Sequence, residues 1–483
     1  MTRADFIALL PMLITCYSGV ALMGIVAFWR GHAAAFVLTL VGLGAAFASI
    51  FFALPGAPRD VTGLIRIDAY SLFYTGLILA GAILVTLLSR DYLETHEANA
   101  SAYYVLLICA VLGMIAIASS AHFASFFLGL ETLSVSLYGL IGYTRRHKPS
   151  LEGAIKYLVL AAVSSAFLVF GIALIYAETG TMGFSDLYGI YEKLAPTPIF
   201  YFGLAMLLVG FGFKLALVPF HMWSPDVYQG APAPVTALIA TGSKGAVLAL
   251  LLRLTTFTDR ADHRAMFIVF AVLAVATMFG GNLLALLQSN VKRMLAYSSI
   301  AQVGYLLIPL LAGTAAGVSS IAFYLVSYTA TTIAAFGVIS VVSASRGAGD
   351  AESVDDYRGL ALRNPAIAGV MALSLLSLTG IPLTSGFVAK FYIFSAAVRV
   401  GLWPLVILGI INSGISAFYY LRVLTAMYVP SEGGPADRQR IGLASGTALT
   451  LCAIAIVAFG IYPAPLVALA ESATRILGFW PHQ

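Results

Sequence analysis

Stretches of about twenty apolar residues, the length that carries a helix across the hydrocarbon core of a bilayer, follow one another along almost the whole chain. Their repetition constrains the fold more than any other feature. In lipid every backbone N–H and C=O must be satisfied by the protein itself, and a helix does so within one segment. The length template places 14 spans, near 5–29, 33–55, 70–89, 102–119, 122–143, 153–177, 198–221, 231–256, 265–287, 294–312, 317–344, 366–397, 402–428 and 441–468. Charged residues are only 10% of the 483, where a soluble domain carries roughly 25%. The chain therefore reads as an all-α polytopic membrane protein. The longest connections, 178–197 and 345–364, leave no room for a soluble domain, so 1–483 reads as a single membrane domain. The first stretch is too long for a signal-peptide core and is expected to be a retained helix.

An even number of spans puts both termini on one side. With the termini outside, the inner connections collect 13 Lys and Arg against 9 in the outer ones, the bias of the positive-inside rule. The net charge of +5 is scattered, with no basic run longer than "RRHK" at 145–148, so nucleic acid is not an expected partner. Cys16, Cys109 and Cys452 lie far apart in apolar segments without CxxC spacing. No GxGxxG opens a helix after a strand, no P-loop occurs, and no His/Asp/Glu cluster has ligand spacing. Cofactors and metals are expected to be none in this chain.

The segments "IKYLVLAAVSSAFLVFGI" (155–172) and "IAFYLVSYTATTIAAFGV" (321–338) align without a gap. They lie five spans apart and so cross in opposite senses, the pattern of an inverted repeat. The next span in each case carries a proline and a lysine: Lys214 with Pro219, and Pro382 with Lys390. Breaks in corresponding helices of two inverted halves point to a transport site.

Five charges cannot be placed in connections or at helix ends: Glu131, Lys214, Lys244, Lys390 and Arg422. A charge near the bilayer centre costs at least about 2.5–3.5 kcal/mol. Arg422 lies toward one end of its span, where it can snorkel to the interface. A structural ion pair between Glu131 and one lysine would leave at least two lysines without a carboxylate. Such lysines can give up and regain a proton, and hydroxyl-rich neighbours can hold a file of water. Those neighbours include Tyr297, Ser298, Ser299, Gln302, Tyr324, Ser327, Tyr328, Thr329, Thr331, Thr332, Asn412, Ser413 and Ser416. Thr236, Ala240, Ser243, Lys244 and Val247 fall on one face of a regular helix. His221, beside Pro219, reads equally as a proton-entry group or an interfacial anchor. The aromatic residues are expected to face lipid or the interfaces.

"FKLALVPFHMWSPDVYQGAPAPVTALIATGSKGA" (213–246) closely resembles the seventh and eighth helices of subunit N of respiratory complex I, the proton-pumping NADH:quinone oxidoreductase. "FLGLETLSVSLYGLIGY" (127–143), "NVKRMLAYSSIAQVGY" (290–305) and "SLTGIPLTSGFVAKF" (377–391) resemble three further signatures of that family, in order. The resemblance implies the antiporter-like fold, with two inverted five-helix repeats at about 102–256 and 265–428 and broken seventh and twelfth helices. The segments 1–101 and 429–483 would supply three N-terminal helices and a C-terminal one. It also implies a proton relay through Glu131, Lys214, Lys244 and Lys390, with Glu131 and Lys214 as the family's Glu–Lys pair. FMN, iron–sulfur clusters and quinone would sit in partner subunits. Other membrane-arm subunits would flank the chain on both sides in a bacterial inner membrane, with periplasmic termini. Lys390 in the twelfth helix and the end at Gln483 suit subunit N rather than the M or L subunits. A multi-subunit Na⁺/H⁺ antiporter and a proton-pumping membrane hydrogenase share this plan and remain alternatives.

Overall fold

A computed structural model describes residues 1–29, 31–97, 100–145, 147–191, 197–255, 264–345, 349–430 and 441–477. Arg30, Arg146, Lys193, Arg260, Arg346, Arg438 and Arg440, which enter the loop-charge balance, lie outside the described residues. Among the described residues the chain is helical apart from one short hairpin, and 13 helices are long and apolar enough to cross a membrane. The twelfth apolar stretch is not one helix but two, Pro365–Thr379 and Ser385–Val398. With that broken helix the order of spans follows the hydropathy reading.

The spans differ in how much they are enclosed. The eighth (Ala233–Thr255) and eleventh (Ala315–Ala344) are 94% buried and the tenth (Val291–Ala312) 83%, whereas Leu10–Phe28 is 22% buried. The eighth, tenth and eleventh spans therefore form the central axis. Long apolar side chains on the outer helices stay exposed, as on a surface made for lipid or neighbouring chains. Many phenylalanines and tryptophans are exposed, as expected, but the tyrosines depart from the expectation. The bulkiest fully buried side chains are mostly tyrosines, among them Tyr70, Tyr74, Tyr157, Tyr228, Tyr305 and Tyr420. A multi-span bundle can enclose them because the phenol presents both an apolar ring and a hydroxyl that finds partners inside.

Each membrane face is tied by its connections. On one, antiparallel strands Arg59–Val61 and Ile65–Ile67 pair Arg59 with Ile67, turning through Thr62 and Gly63 at φ 57° and 69°. Bridges Ile65–Ser120 and His122–Gly183 extend the pairing to two further connections. The N-terminal helix Arg3–Ala8 is fastened there by Asp5, which accepts from Arg59. The Arg59 guanidinium, with the Thr2 backbone, holds the Asp5 carboxyl down to about 2.

Below this face Asp68 accepts two bonds from Arg253, at 2.9 and 3.0 Å. On the opposite face Asp226 takes Lys156 at 2.7 Å and Arg293 at 2.6 Å. Beside it Lys292 pairs with Asp350 at 2.5 Å and donates to the Ala231 carbonyl. The connection 349–357 joins this network through Glu352, which accepts from Gln229 and Asn290.

Candidate functional site

The seventh span, Pro198–Leu215, stops because Ala216 takes a left-handed conformation at φ 57°. The chain resumes as the short helix Trp223–Gly230. Lys214 thus lies in the last turn of a half-helix, where a cation meets the negative end of the helix dipole. It is 3% exposed. Its Nζ donates to Ser134 Oγ at 2.6 Å and to the Tyr157 hydroxyl at 3.3 Å. The rings of Tyr157 and Phe213 lie 5.3 and 5.9 Å away.

Glu131 precedes Ser134 by one turn of the fifth span, Phe123–Ile141, on the same face. The ion pair with Lys214 is not a direct contact. Glu131 is half-buried and accepts from Ser165 Oγ at 2.6 Å, while Lys214 is held by Ser134.

Lys244 follows a π-turn, Ile239–Ser243, inside the eighth span. The extra residue shifts the helical phase, so the straight face drawn through Thr236, Ala240, Ser243, Lys244 and Val247 is interrupted. Lys244 is 3% exposed, and its Nζ donates to Ser299 Oγ at 2.7 Å. Ser299 also accepts from the Tyr328 hydroxyl at 2.8 Å and lies 3.2 Å from that of Tyr228. The Tyr228 ring is 5.8 Å from the ammonium. Among the described residues no carboxylate pairs with Lys244 or Lys390; neutral hydroxyls and carbonyls hold both.

Lys390 belongs to the second half of the twelfth span. Its Nζ donates to the Leu378 and Thr379 carbonyls, both at 2.9 Å, and to Ser413 Oγ at 2.8 Å. The ammonium so closes the carbonyl end of the first half, the favoured place for a cation. Gly380 makes this possible: it takes φ 90°, and a Cβ there would stand 3.0 Å from Lys390 Cδ. A small cavity lies between Lys390 and Tyr328, lined also by Gln302, Ser327, Thr331 and Ser377, with ≈ 10 Å³ for water centres, room for about one water. The polar file thus runs Lys244, Ser299, Tyr328, cavity, Lys390.

Between Lys214 and Lys244 no unbroken hydrogen-bond chain exists among the described residues. The Tyr157 ring lies tilted against that of Trp223, centroids 5.0 Å apart, and the helix begun by Trp223 carries Tyr228 beneath Lys244. His221 is buried in the break, its Nδ1 without a partner among the described residues. Arg422 is exposed and donates to the carbonyls of Leu286 and Gln288, closing the end of the ninth span. Ser134, Tyr157, Ser165 and Tyr228 escaped the sequence reading. Ser134 was within its reach, three residues after Glu131. Tyr157 and Tyr228 are recognisable only once the break in the seventh span is known.

The family model for the transmembrane part of NADH:quinone oxidoreductase and Mrp antiporter subunits matches residues 120–416. The chain belongs to this family. All four relay candidates, Glu131, Lys214, Lys244 and Lys390, fall within the matched region. A chain of respiratory complex I from Thermus thermophilus is 32% identical, with a TM-score of 0.81 over 95% of this chain and 99% of that one. A chain of the membrane-bound sulfane sulfur reductase, an archaeal respiratory membrane complex, is 25% identical with a TM-score of 0.83, over 99% and 98%. A chain of the Mrp complex from Dietzia sp. DQ12-45-1b shares the fold at 21% identity and a TM-score of 0.86, over 99% and 98%. The protein is an antiporter-like membrane subunit of the kind found in complex I, Mrp and related assemblies.

Proposed function

We propose that the chain is subunit N of a bacterial respiratory complex I and moves protons through Glu131, Lys214, Lys244 and Lys390, driven by quinone reduction elsewhere in the complex. The observation that carries this reading is the set of three buried lysines, on three different spans, each held by neutral hydroxyls or carbonyls. A neutral acceptor steadies an ammonium without locking its proton in place as a carboxylate would. Like charges in a low-dielectric interior repel, so each lysine's proton affinity depends on its neighbours' charge. Glu131, one turn before Ser134 on the same span, sets the charge on that side of Lys214. When that influence weakens, Lys244 passes its proton by way of Ser299 and Tyr328 toward Lys390.

The breaks after Lys214 and before Lys390 support two inverted halves at about 102–256 and 265–428. Orientation with both termini in the periplasm follows from the loop charges. Partner membrane-arm subunits would cover two opposite flanks, and the flavin, iron–sulfur and quinone chemistry would belong to other chains.

The similarity in fold to the Mrp chain favours a second reading, a subunit of a multi-subunit Na⁺/H⁺ antiporter. Purification of the assembly from its native membrane separates the two. NADH-dependent quinone reduction co-purifying with this chain is the expected result. Cation-dependent proton exchange without that activity would overturn the complex I assignment.

A further inference from the structure

A second small cavity lies away from the lysine file, where the third span (Ala69–His96), the π-turn of the eighth and the eleventh span meet. It offers ≈ 10 Å³ for water centres, enough for about one water. Glycines create the gap. Gly81, Gly242 and Gly245 all line it, and a Cβ built on Gly245 would meet nothing within 4 Å although the residue is buried.

The lining is largely apolar, from Leu77, Ile78 and Leu238, but it also carries three hydroxyls. Tyr74, Thr241 and Thr329 all border the cavity. The Tyr74 side chain is 0% exposed and its hydroxyl has no hydrogen-bond partner among the described residues. Its neighbour Tyr70 donates its own proton to the Ala249 carbonyl at 2.7 Å, and its oxygen makes no hydrogen bond of good geometry with Tyr74. Thr241 donates to the Ala237 carbonyl at 2.7 Å, which leaves its oxygen free to accept. Buried polar groups in native proteins are satisfied by protein or ordered water, and empty cavities are apolar ones.

We propose that this cavity binds one ordered water, which accepts from the Tyr74 hydroxyl and donates to the oxygens of Thr241 and Thr329. The water seats on the π-turn that precedes Lys244 and ties that turn to the third span. A π-turn is less favourable than continuous α-helix and persists where something compensates it. The water is that compensation, so its loss alters the placing of Lys244. The site itself stands whether or not the lysines carry protons.

The test uses the intact assembly in lipid, imaged by electron microscopy at a resolution that resolves ordered waters. Density is expected within hydrogen-bond distance of Tyr74 Oη and of a threonine Oγ1, and it should vanish in Tyr74→Phe. An empty cavity in the unmodified protein, or density that survives Tyr74→Phe unchanged, would overturn the site. Gly245→Ala puts a methyl group into the gap without a clash. It is expected to expel the water and lower proton pumping several-fold at normal assembly. Density lost with pumping unchanged would overturn the link to Lys244. Should that variant fail to assemble, the first two maps still decide the site.

Discussion

Lys214, Lys244 and Lys390 are buried where an isolated charge is costly, yet among the described residues none is neutralised by direct contact with a carboxylate. Ser299 joins Lys244 of the eighth span to Tyr328 of the eleventh, since both donate to its single oxygen. A hydrogen bond to a charged group contributes about 1.5–3 kcal/mol, and each 1.4 kcal/mol is about tenfold. Ser299→Ala is therefore expected to lower proton pumping about tenfold or more, per assembled complex in membrane vesicles, and Ser299→Thr to restore most of it. Pumping at the normal rate in the alanine variant would remove Ser299 from the path. Glu131 accepts from Ser165 and makes no direct contact with Lys214, so Glu131→Gln keeps an acceptor for Ser165 while deleting the charge. Weaker pumping with assembly intact is the expected outcome, with a smaller loss than at Ser299. Equal pumping in the two proteins would mean that the carboxylate does not modulate Lys214.

The helices that matter most are the irregular ones. The span order was legible from hydropathy alone, and the breaks were signalled by Pro219 and Pro382 beside Lys214 and Lys390. The π-turn before Lys244 left no such signal, because "IATGSKGA" fits a regular helix equally well. The hairpin at Arg59–Ile67 was also missed: a hydropathy template sees only a connection there. In the twelfth span Gly386 packs so closely on Ser377 that a Cβ would collide with its carbonyl oxygen. Gly386→Ala is expected to force the two half-helices apart and abolish stable assembly, seen as loss of the chain from the purified complex. Normal assembly would mean that the break is wider than described. The Asp68–Arg253 pair joins the third and eighth spans with both side chains at 5% exposure or less. Removing one partner of a buried pair costs about 3–5 kcal/mol, whereas exposed pairs contribute about 0–1 kcal/mol. Asp68→Asn should sharply reduce the assembled level, and Asp355→Asn, which breaks the exposed pair with Arg358, should not. Equal levels for both variants would contradict the role given to the buried pair.

Across the whole molecule the eighth, tenth and eleventh spans make an enclosed axis that carries Lys244, Ser299 and Tyr328 toward Lys390 on the twelfth. The four relay candidates were legible because a charge in an apolar run stands out. The network on one face was not, since Lys156, Asp226, Lys292, Arg293 and Asp350 sit at helix ends and their partners lie about sixty residues away or more. The separation of Glu131 from Lys214 by Ser134 was equally hidden, because motif likeness gives residue identities and not contacts. The central claim is that Lys244 works by changing its charge rather than by having one. Arginine keeps the charge and cannot release it at any physiological pH. The decisive measurement is proton pumping driven by NADH oxidation in membrane vesicles, per assembled complex, for Lys244→Arg and Lys244→Ala. Both variants are predicted to assemble and to pump far below the unmodified protein, with arginine no better than partly active; an arginine variant that pumps at the full rate would show that a fixed charge suffices and would contradict the relay.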